Sequence, residues 1–236
     1  MVDYHARTYN SPNPLVRFAH RARLKVALDV MPPAKGWILD FGCGDGYFCS
    51  LLSRRVDGEA MVVGFEPFMA ARAGDTTEIL RSWEDVERRC DDLGPAQIVT
   101  CFETLEHFSP AKQESTLQCI RRILADDGYL LISVPVEGGF PSVVKNLSRR
   151  LKFGGATTYS WRNIAKSWLW MAIPEAREGG DYLSHMGFYF VDLEKVLQRS
   201  FIINRRVTSP FRSLGPALNS QVFYIATPRP VSRPHS

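Results

Sequence analysis

Short apolar runs alternate with longer amphipathic stretches along most of the chain. A short apolar run bounded by turn-forming residues is typical of a buried strand, and an amphipathic stretch is typical of a helix. Five runs predict strands, the third of them weak, at residues 38–40, 60–66, 77–83, 97–102 and 128–135. Helices are predicted at 15–30, from Tyr47 onward and at 111–124, and the polar stretch that ends at Asp92 is helical or irregular.

The last part of the chain predicts a different arrangement of strands. Residues 201–208 and 221–227 have strand patterns and are joined by a segment with Pro, Gly and Ser, which favours an antiparallel pair. Upstream, strands alternate with helices, which implies a parallel sheet with right-handed crossovers. The prediction is an α/β fold with a seven-stranded, mostly parallel sheet, helices on both faces and an antiparallel final strand.

The length suits one domain. A chain of 236 residues with 45% hydrophobic residues can bury a single core of useful size. We expect one domain over 1–227, with a leading helical segment at 1–33 and a substrate-covering insert at 136–190. The tail at 228–236 has no apolar periodicity and is predicted to be disordered.

The composition indicates the compartment in which the protein is expected. The five cysteines are scattered without C-x-x-C spacing, which argues against a disulfide framework or a zinc site and favours a reducing compartment. The first residues form no apolar signal core, and no apolar run approaches the ~20 residues that span a bilayer. We expect a cytoplasmic protein, with peripheral contact at the inner membrane face left open. A net charge of +4 permits nucleic-acid binding without indicating it.

Three glycines on alternate positions follow the first predicted strand. That strand ends at Asp40, and Gly42, Gly44 and Gly46 precede the helix that begins near Tyr47. Glycines allow positive φ and let a ligand lie against the main chain, while the start of a helix presents N–H groups. The ligand should be nucleotide-like. A dinucleotide fingerprint, G-x-G-x-x-G, would place its third glycine one residue later.

The arrangement D-x-G-x-G-x-G resembles motif I of the class I S-adenosylmethionine (SAM) dependent methyltransferases. The resemblance covers residues 36–135 by motif and the rest by strand order, and it implies a Rossmann-like sheet with SAM as cofactor. In that family the glycine loop passes under the methionine part of SAM, and the acid at the position of Asp40 helps to hold it. The implied loop ligands are Asp40, Gly42, Cys43, Gly44, Asp45 and Gly46.

A second carboxylate lies at the end of the second predicted strand. Glu66 lies about twenty residues after the glycines, where a carboxylate can accept two hydrogen bonds from a ribose diol. We predict that Glu66 is the ribose ligand, with Pro67 beside it. Considered alone, Glu66 also fits the alternative of a solvent-exposed acid at the end of a strand. Trp83 is the candidate for the adenine side, and the backbone near Phe102 and Glu103 should lie beside the sulfonium.

The segment after the fourth predicted strand has the pattern E-x-x-E-H in Glu103, Glu106 and His107. Ligands of open α/β sheets bind beyond the carboxyl ends of the strands, so this segment should face the transferable methyl group. A histidine has an unperturbed pKa of roughly 6.5 and suits proton removal from a hydroxyl. In a helical turn the three side chains could also share a cation.

E-x-x-E-H resembles two branches of the superfamily: the O-methyltransferases of ubiquinone biosynthesis and the enzymes that methylate the 2′-hydroxyl at the 3′ end of small RNAs. In the RNA branch Glu103, Glu106, His107 and a later histidine, here His185, would bind a divalent metal. The alternative is that Glu106 and His107 orient the turn while His185 packs under a lid. We predict that no metal is bound and that His107 and His185 are the candidate general bases.

The predicted insert is rich in aromatic and basic residues. Aromatic faces suit sugars, quinoid rings or lipid chains, although aromatics at helical spacing are also common in cores. The insert's aromatic residues include Phe140, Phe153, Tyr159, Trp161, Trp168, Trp170 and Tyr182. The basic run at 145–152, with Arg162 and Lys166, could face phosphate or a membrane, or form a solvated helix face. Residues 134–151 look like bacterial methyltransferases associated with cell-envelope and polysaccharide genes.

These patterns together predict methyl transfer from SAM to a small-molecule, saccharide or lipid-linked acceptor, with oxygen favoured over nitrogen as the acceptor atom. Nucleic acid is not an expected partner. The alternatives are a metal-dependent small-RNA 2′-O-methyltransferase, a catalytically silent scaffold with the SAM fold, and an NAD-dependent oxidoreductase.

Overall fold

The computed structural model describes residues 12–56, 58–71, 77–139, 160–169 and 188–230, with Val143, Leu147 and Arg150, but not the side chains of Leu15 and Asn163. The predicted features outside the described residues include His185, the aromatic residues at 140, 153, 159, 170 and 182, most of the basic run at 145–152, and residues 231–236 of the tail.

The described helices and strands follow the predicted alternation. In chain order they are α1 (Pro14–Val30), β1 (Gly36–Phe41), α2 (Tyr47–Val56), β2 (Ala60–Phe65), β3 (Glu78–Leu80), α3 (Trp83–Leu93), β4 (Ala96–Phe102), α4 (Pro110–Ile123), β5 (Leu124–Pro135), α5 (Trp161–Trp168), α6 (Phe190–Ser200), β6 (Phe201–Ser209) and β7 (Gln221–Pro228). Short 3-10 helices lie at Leu105–His107 and Pro216–Leu218.

The strands form one seven-stranded sheet in the order β3-β2-β1-β4-β5-β7-β6. The pairs from β3 to β5 are parallel, and β7 runs antiparallel to both β5 and β6. This confirms the predicted α/β, Rossmann-like, mostly parallel sheet with an antiparallel final strand. Because β1 lies between β2 and β4, the strand order reverses beside β1, and ligands of such sheets bind in the crevice at that point.

Helices cover both faces of the sheet, as predicted. On one face α1 and α2 contribute Val26 and Leu52 to a core that includes Ile98 of β4. On the other face α4 contributes Leu117 to a core that includes Val99 of β4. Neighbouring residues of a strand point to opposite faces, so β4 supplies both cores. Each large apolar side chain buried in this way stabilises the fold by about 1.5–3 kcal/mol.

Three predicted boundaries are wrong. The third strand is only Glu78–Leu80, and Trp83 begins α3 instead of ending that strand. The reason is local: the Ser82 hydroxyl accepts a hydrogen bond from the backbone N–H of Asp85 and caps the helix. The fifth strand begins four residues early, at Leu124, and β7 extends one residue into the predicted tail.

Candidate active site

A cavity of about 550 Å³ lies where β1, β2 and β4 end, and α1 forms one of its walls. Of the predicted site residues, it brings together Asp40, Gly42, Cys43, Gly44, Asp45, Glu66, Phe102, Glu103 and His107. Its other lining residues are His20, Arg23, Leu24, Ala27, Tyr47, Phe48, Met69, Thr104 and Phe108.

The glycine loop has the backbone that its spacing predicts. Gly42, Gly44 and Gly46 have φ of 75°, 58° and 85°, the left-handed region that favours glycine. A Cβ on Gly42 would lie 2.3 Å from Oγ1 of Thr104, so this position has no room for a side chain. The N–H of Gly42 donates to the carbonyl of Phe65 at 2.8 Å, which fixes the loop against the end of β2.

Asp40 lies under the loop in a fully buried position. Its Oδ1 accepts from the Thr100 hydroxyl at 2.6 Å, and its Oδ2 accepts from the Cys49 thiol at 3.4 Å. Burial raises the pKa of Asp40 from 3.8 to about 6, while the hydrogen bonds from Thr100 and Cys49 oppose the shift. The carboxyl group therefore carries a desolvation cost when it is ionised at neutral pH.

Glu66 is buried at the end of β2 and held in one orientation. Its Oε1 accepts from the backbone N–H groups of Phe68 at 2.9 Å and Met69 at 3.1 Å. Arg81 closes the same loop from outside, because its guanidinium donates to the carbonyls of Glu66, at 2.6 Å, and Met69. Because Oε1 accepts both of these backbone hydrogen bonds, Oε2 is the oxygen positioned to accept a hydrogen bond from a ligand.

The end of β4 forms the opposite wall. The ring of Phe102 packs edge-on against Phe48, with centroids 5.1 Å apart, and against Phe223 at 5.7 Å. Glu103 has a φ of 53°, which is uncommon for a residue with a Cβ and is often found at functional sites. Its Oε2 lies 2.9 Å from Nη1 of Arg23, in an ion pair that joins β4 to α1.

His107 ends the short 3-10 helix that follows and lines the cavity. Gln113 of α4 holds this turn, because its amide donates to the carbonyls of Leu105 at 2.9 Å and Phe108 at 3.2 Å. Glu106 is fully buried and does not line the cavity. Within the described residues, no group of three or more His, Cys, Asp or Glu side chains is placed to hold a metal ion.

The α1 wall is the part of the site that the sequence reasoning missed. His20, Arg23, Leu24 and Ala27 line the cavity at the spacing i, i+3, i+4 and i+7, which is one face of a helix. That spacing was readable in the sequence, but the position of the face was not. Burial, and then the charge of Arg23, lower the pKa of His20 from 6.5 to about 4, so its imidazole is neutral at neutral pH.

Some predicted site residues lie away from the cavity. Gly46 is buried beneath the loop and Pro67 is exposed. Trp83 packs against Phe41 and Phe65, with ring centroids 6.1 Å and 5.7 Å apart, and its indole N–H donates to Glu87. His185 lies outside the described residues.

The residues present fit the predicted cofactor. A cavity of about 550 Å³ is within the range of small-molecule sites. A Cβ on Gly42 would clash with Thr104, whereas a Cβ on Gly44 would meet only Sδ of Met69, at an ordinary contact distance of 3.8 Å. The loop, the oriented carboxylate of Glu66 and the apolar wall at Phe102 therefore offer distinct surfaces for the methionine, ribose and sulfonium parts of SAM.

Comparison with known structures supports the fold. The chain is 16% identical to the PH0226 protein from Pyrococcus horikoshii, covering 96% of each chain with a TM-score of 0.54. It is 16% identical to a SAM-dependent methyltransferase from Anabaena variabilis, covering 91% of this chain and 85% of that one, TM-score 0.55. It is also 15% identical to the cyclopropane synthase MmaA2 from Mycobacterium tuberculosis, covering 94% and 88%, TM-score 0.52.

No curated protein matches the sequence significantly. A family model described as a methyltransferase domain matches residues 15–188, which include the glycine loop, Glu66 and the turn at His107. None of the described helices is long and apolar enough to cross a membrane. The chain belongs to the methyltransferase domain family and is a SAM-dependent methyltransferase.

Proposed function

We propose that this methyltransferase acts on an oxygen of a small-molecule, saccharide or lipid-linked acceptor, with bacterial cell-envelope or polysaccharide building blocks as the favoured class. The observation that carries the proposal is that two histidines, His20 and His107, line the same cavity as the glycine loop and Glu66. A hydroxyl acceptor needs a base, whereas an amine needs less assistance.

On the cofactor side, each residue has one task. The backbone of Gly42, Cys43 and Gly44 lies against the methionine part, and Asp40 supports it from below. Glu66 accepts from the ribose diol through Oε2, because Oε1 already accepts two backbone N–H bonds. Phe102 and Glu103 lie beside the sulfonium. When bound, SAM supplies an electrophilic methyl group.

On the acceptor side, the side chains hold and move a proton. A neutral imidazole can take the hydroxyl proton. The ring of His20 is neutral, but its lowered pKa makes it a weaker base than an ordinary histidine. His107 and His185 are the other candidates. The Arg23–Glu103 ion pair fixes the wall between the cofactor side and the acceptor side of the cavity. Alignment of the acceptor with the methyl group then provides most of the acceleration.

The test is transfer of labelled methyl from SAM to separate lipid, saccharide and small-RNA fractions, each with and without a chelator. We expect label in the lipid or saccharide fraction that the chelator does not remove. His107→Gln or His20→Gln should lower kcat while affinity for S-adenosylhomocysteine (SAH) is retained. Chelator-sensitive label in small RNA would contradict the proposal and favour a metal-dependent 2′-O-methyltransferase.

A further inference from the structure

One face of α5 is apolar and exposed; we call it the tryptophan face and define it by Trp161, Ala165, Trp168 and Leu169. These residues have the spacing i, i+4, i+7 and i+8, which places them on one side of a helix. Trp161 and Trp168 are each 62% exposed, and Leu169 is 65% exposed. Ile164, at the margin of this face, is buried. The helix thus presents its largest apolar side chains outward, the reverse of a helix that simply covers a core.

The tryptophan face belongs to the edge of the sheet that carries the active site. The hydroxyl of Ser167, on the inner side of α5, donates to the carbonyl of Glu137 at 2.8 Å. Glu137 lies two residues beyond Pro135, where β5 ends. Since β5 is parallel to β4, both strands end at the edge where the cavity lies. The inner side of α5 is therefore fixed to the protein while its outer side faces away.

The part of the sequence that contains α5 is strongly basic. Residues 138–174 contain six of the 29 basic residues and none of the 25 acidic ones, so the rest of the chain has 23 basic against 25 acidic residues. This segment thus carries the whole positive excess of the protein. Two of its cations, the exposed Arg162 and the partly buried Lys166, lie on α5 itself. The guanidinium of Arg150 lies over the ring of Trp161, 4.8 Å from its centroid.

We propose that the tryptophan face docks on a membrane surface that contains anionic phospholipid. Tryptophan is favoured at the boundary between headgroups and acyl chains, and Leu169 adds an apolar side chain that can enter it. The adjacent cations match the negative surface, which is the combination found in helices that lie in a bilayer interface. A nucleic acid would contact the tryptophan rings and the cations but would leave Leu169 exposed to water. The inference does not rest on the identity of the methyl acceptor.

The first test is flotation of the purified protein with vesicles of phosphatidylcholine, alone or mixed with phosphatidylglycerol. We expect binding to the mixed vesicles that weakens as salt is added. The Trp161→Ser/Trp168→Ser variant should bind about tenfold more weakly, because two large apolar side chains no longer enter the interface. The matched control is Phe211→Ser, which removes an exposed aromatic residue from the connection between β6 and β7 and should bind as the unchanged protein does.

A second pair of variants tests the charge. Arg162→Glu/Lys166→Glu should weaken binding to the mixed vesicles, whereas Lys195→Glu, an exposed cation on α6, should not. All variants should bind SAH with unchanged affinity, which separates a failure of docking from a failure of folding or of methyl transfer. Equal vesicle binding by the unchanged protein and the tryptophan variant would overturn the proposal. Preferential binding of single-stranded RNA that the same variants abolish would overturn it too.

Discussion

At the scale of single residues, the site depends on positions where the backbone or a buried charge is held at a cost. Gly42 combines a left-handed φ with contact against Thr104, and Glu103 takes a positive φ although it has a side chain. Asp40 keeps a carboxyl group in a fully buried place. Such costs are tolerated where ligand binding needs the geometry.

Gly42→Ala should destabilise the protein more than Gly58→Ala and should also weaken SAH binding by at least about tenfold. Both glycines have positive φ, but a Cβ on Gly58 meets nothing within 4 Å, whereas one on Gly42 meets Thr104. Gly58→Ala therefore measures the backbone strain alone, about 1 kcal/mol. Urea unfolding and calorimetric SAH titration provide the two measurements. Equal effects of the two substitutions would contradict the description of the loop.

Asp40→Asn should change how stability depends on pH. Because the folded-state pKa of Asp40 is raised to about 6, the folded protein retains a proton that the unfolded chain loses above about pH 4. The stability that Asp40 contributes is thus complete below about pH 4 and lost as pH rises through about 6. The unfolding free energy of the variant relative to the unchanged protein should rise by about 3 kcal/mol across this window.

The measurement is urea unfolding of both proteins at several pH values across that window. The same variant should bind SAH more weakly, because a neutral amide replaces the carboxylate under the loop. A difference in unfolding free energy that does not vary with pH would show that Asp40 titrates normally.

At the scale of elements, α1 and the connection between β2 and β3 complete the site. The sequence predicted α1 as a helix, but not that its inner face forms a cavity wall, because the edge of the sheet that a helix crosses is decided by tertiary packing. The capping residue Ser82 was visible in the sequence, yet the β-prone residues before it favoured a strand through Trp83. The early start of β5 was hidden by its polar residues Asp126 and Asp127, which are exposed.

Arg23→Met should loosen α1 from the end of β4. Removing the partner of Glu103 in this largely buried ion pair should cost about 1–3 kcal/mol, and the Arg23→Met/Glu103→Met double variant should cost less than the sum of the single ones. Arg21→Met, at an exposed position of the same helix, is the control. The check is a double-mutant cycle by urea unfolding. Additive effects would show that the pair is not coupled.

Arg81→Met should weaken SAH binding by about tenfold and change stability little, because its hydrogen bonds orient the loop that carries Glu66 and bury no core side chain. Arg88→Met is the matched control, since Arg88 is exposed and pairs only within α3 among the contacts of the described residues. Calorimetric SAH titration measures the affinities. Unchanged affinity in Arg81→Met would show that the loop orients itself.

At the scale of the whole molecule, the strand–helix alternation predicted the sheet, its direction and the edge that carries the site. It did so because each buried strand and each helix face has its own period, and because parallel strands end at the same edge. The left-handed Glu103, the burial of Glu106 and the position of His20 depend on contacts between distant segments, so the sequence alone did not predict them. What the fold adds is a cavity in which the predicted cofactor residues meet an α1 wall.

The most direct test of this account is calorimetric titration of the purified protein with SAH, with NAD as the competing ligand and Glu66→Ala as the variant. Glu59→Ala, which removes an exposed acid just before β2, is the control. We predict SAH binding that Glu59→Ala retains and Glu66→Ala lowers by at least about tenfold, with no binding of NAD. Absence of SAH binding, or an affinity that Glu66→Ala leaves unchanged, would show that this cavity does not hold the methyl donor through Glu66.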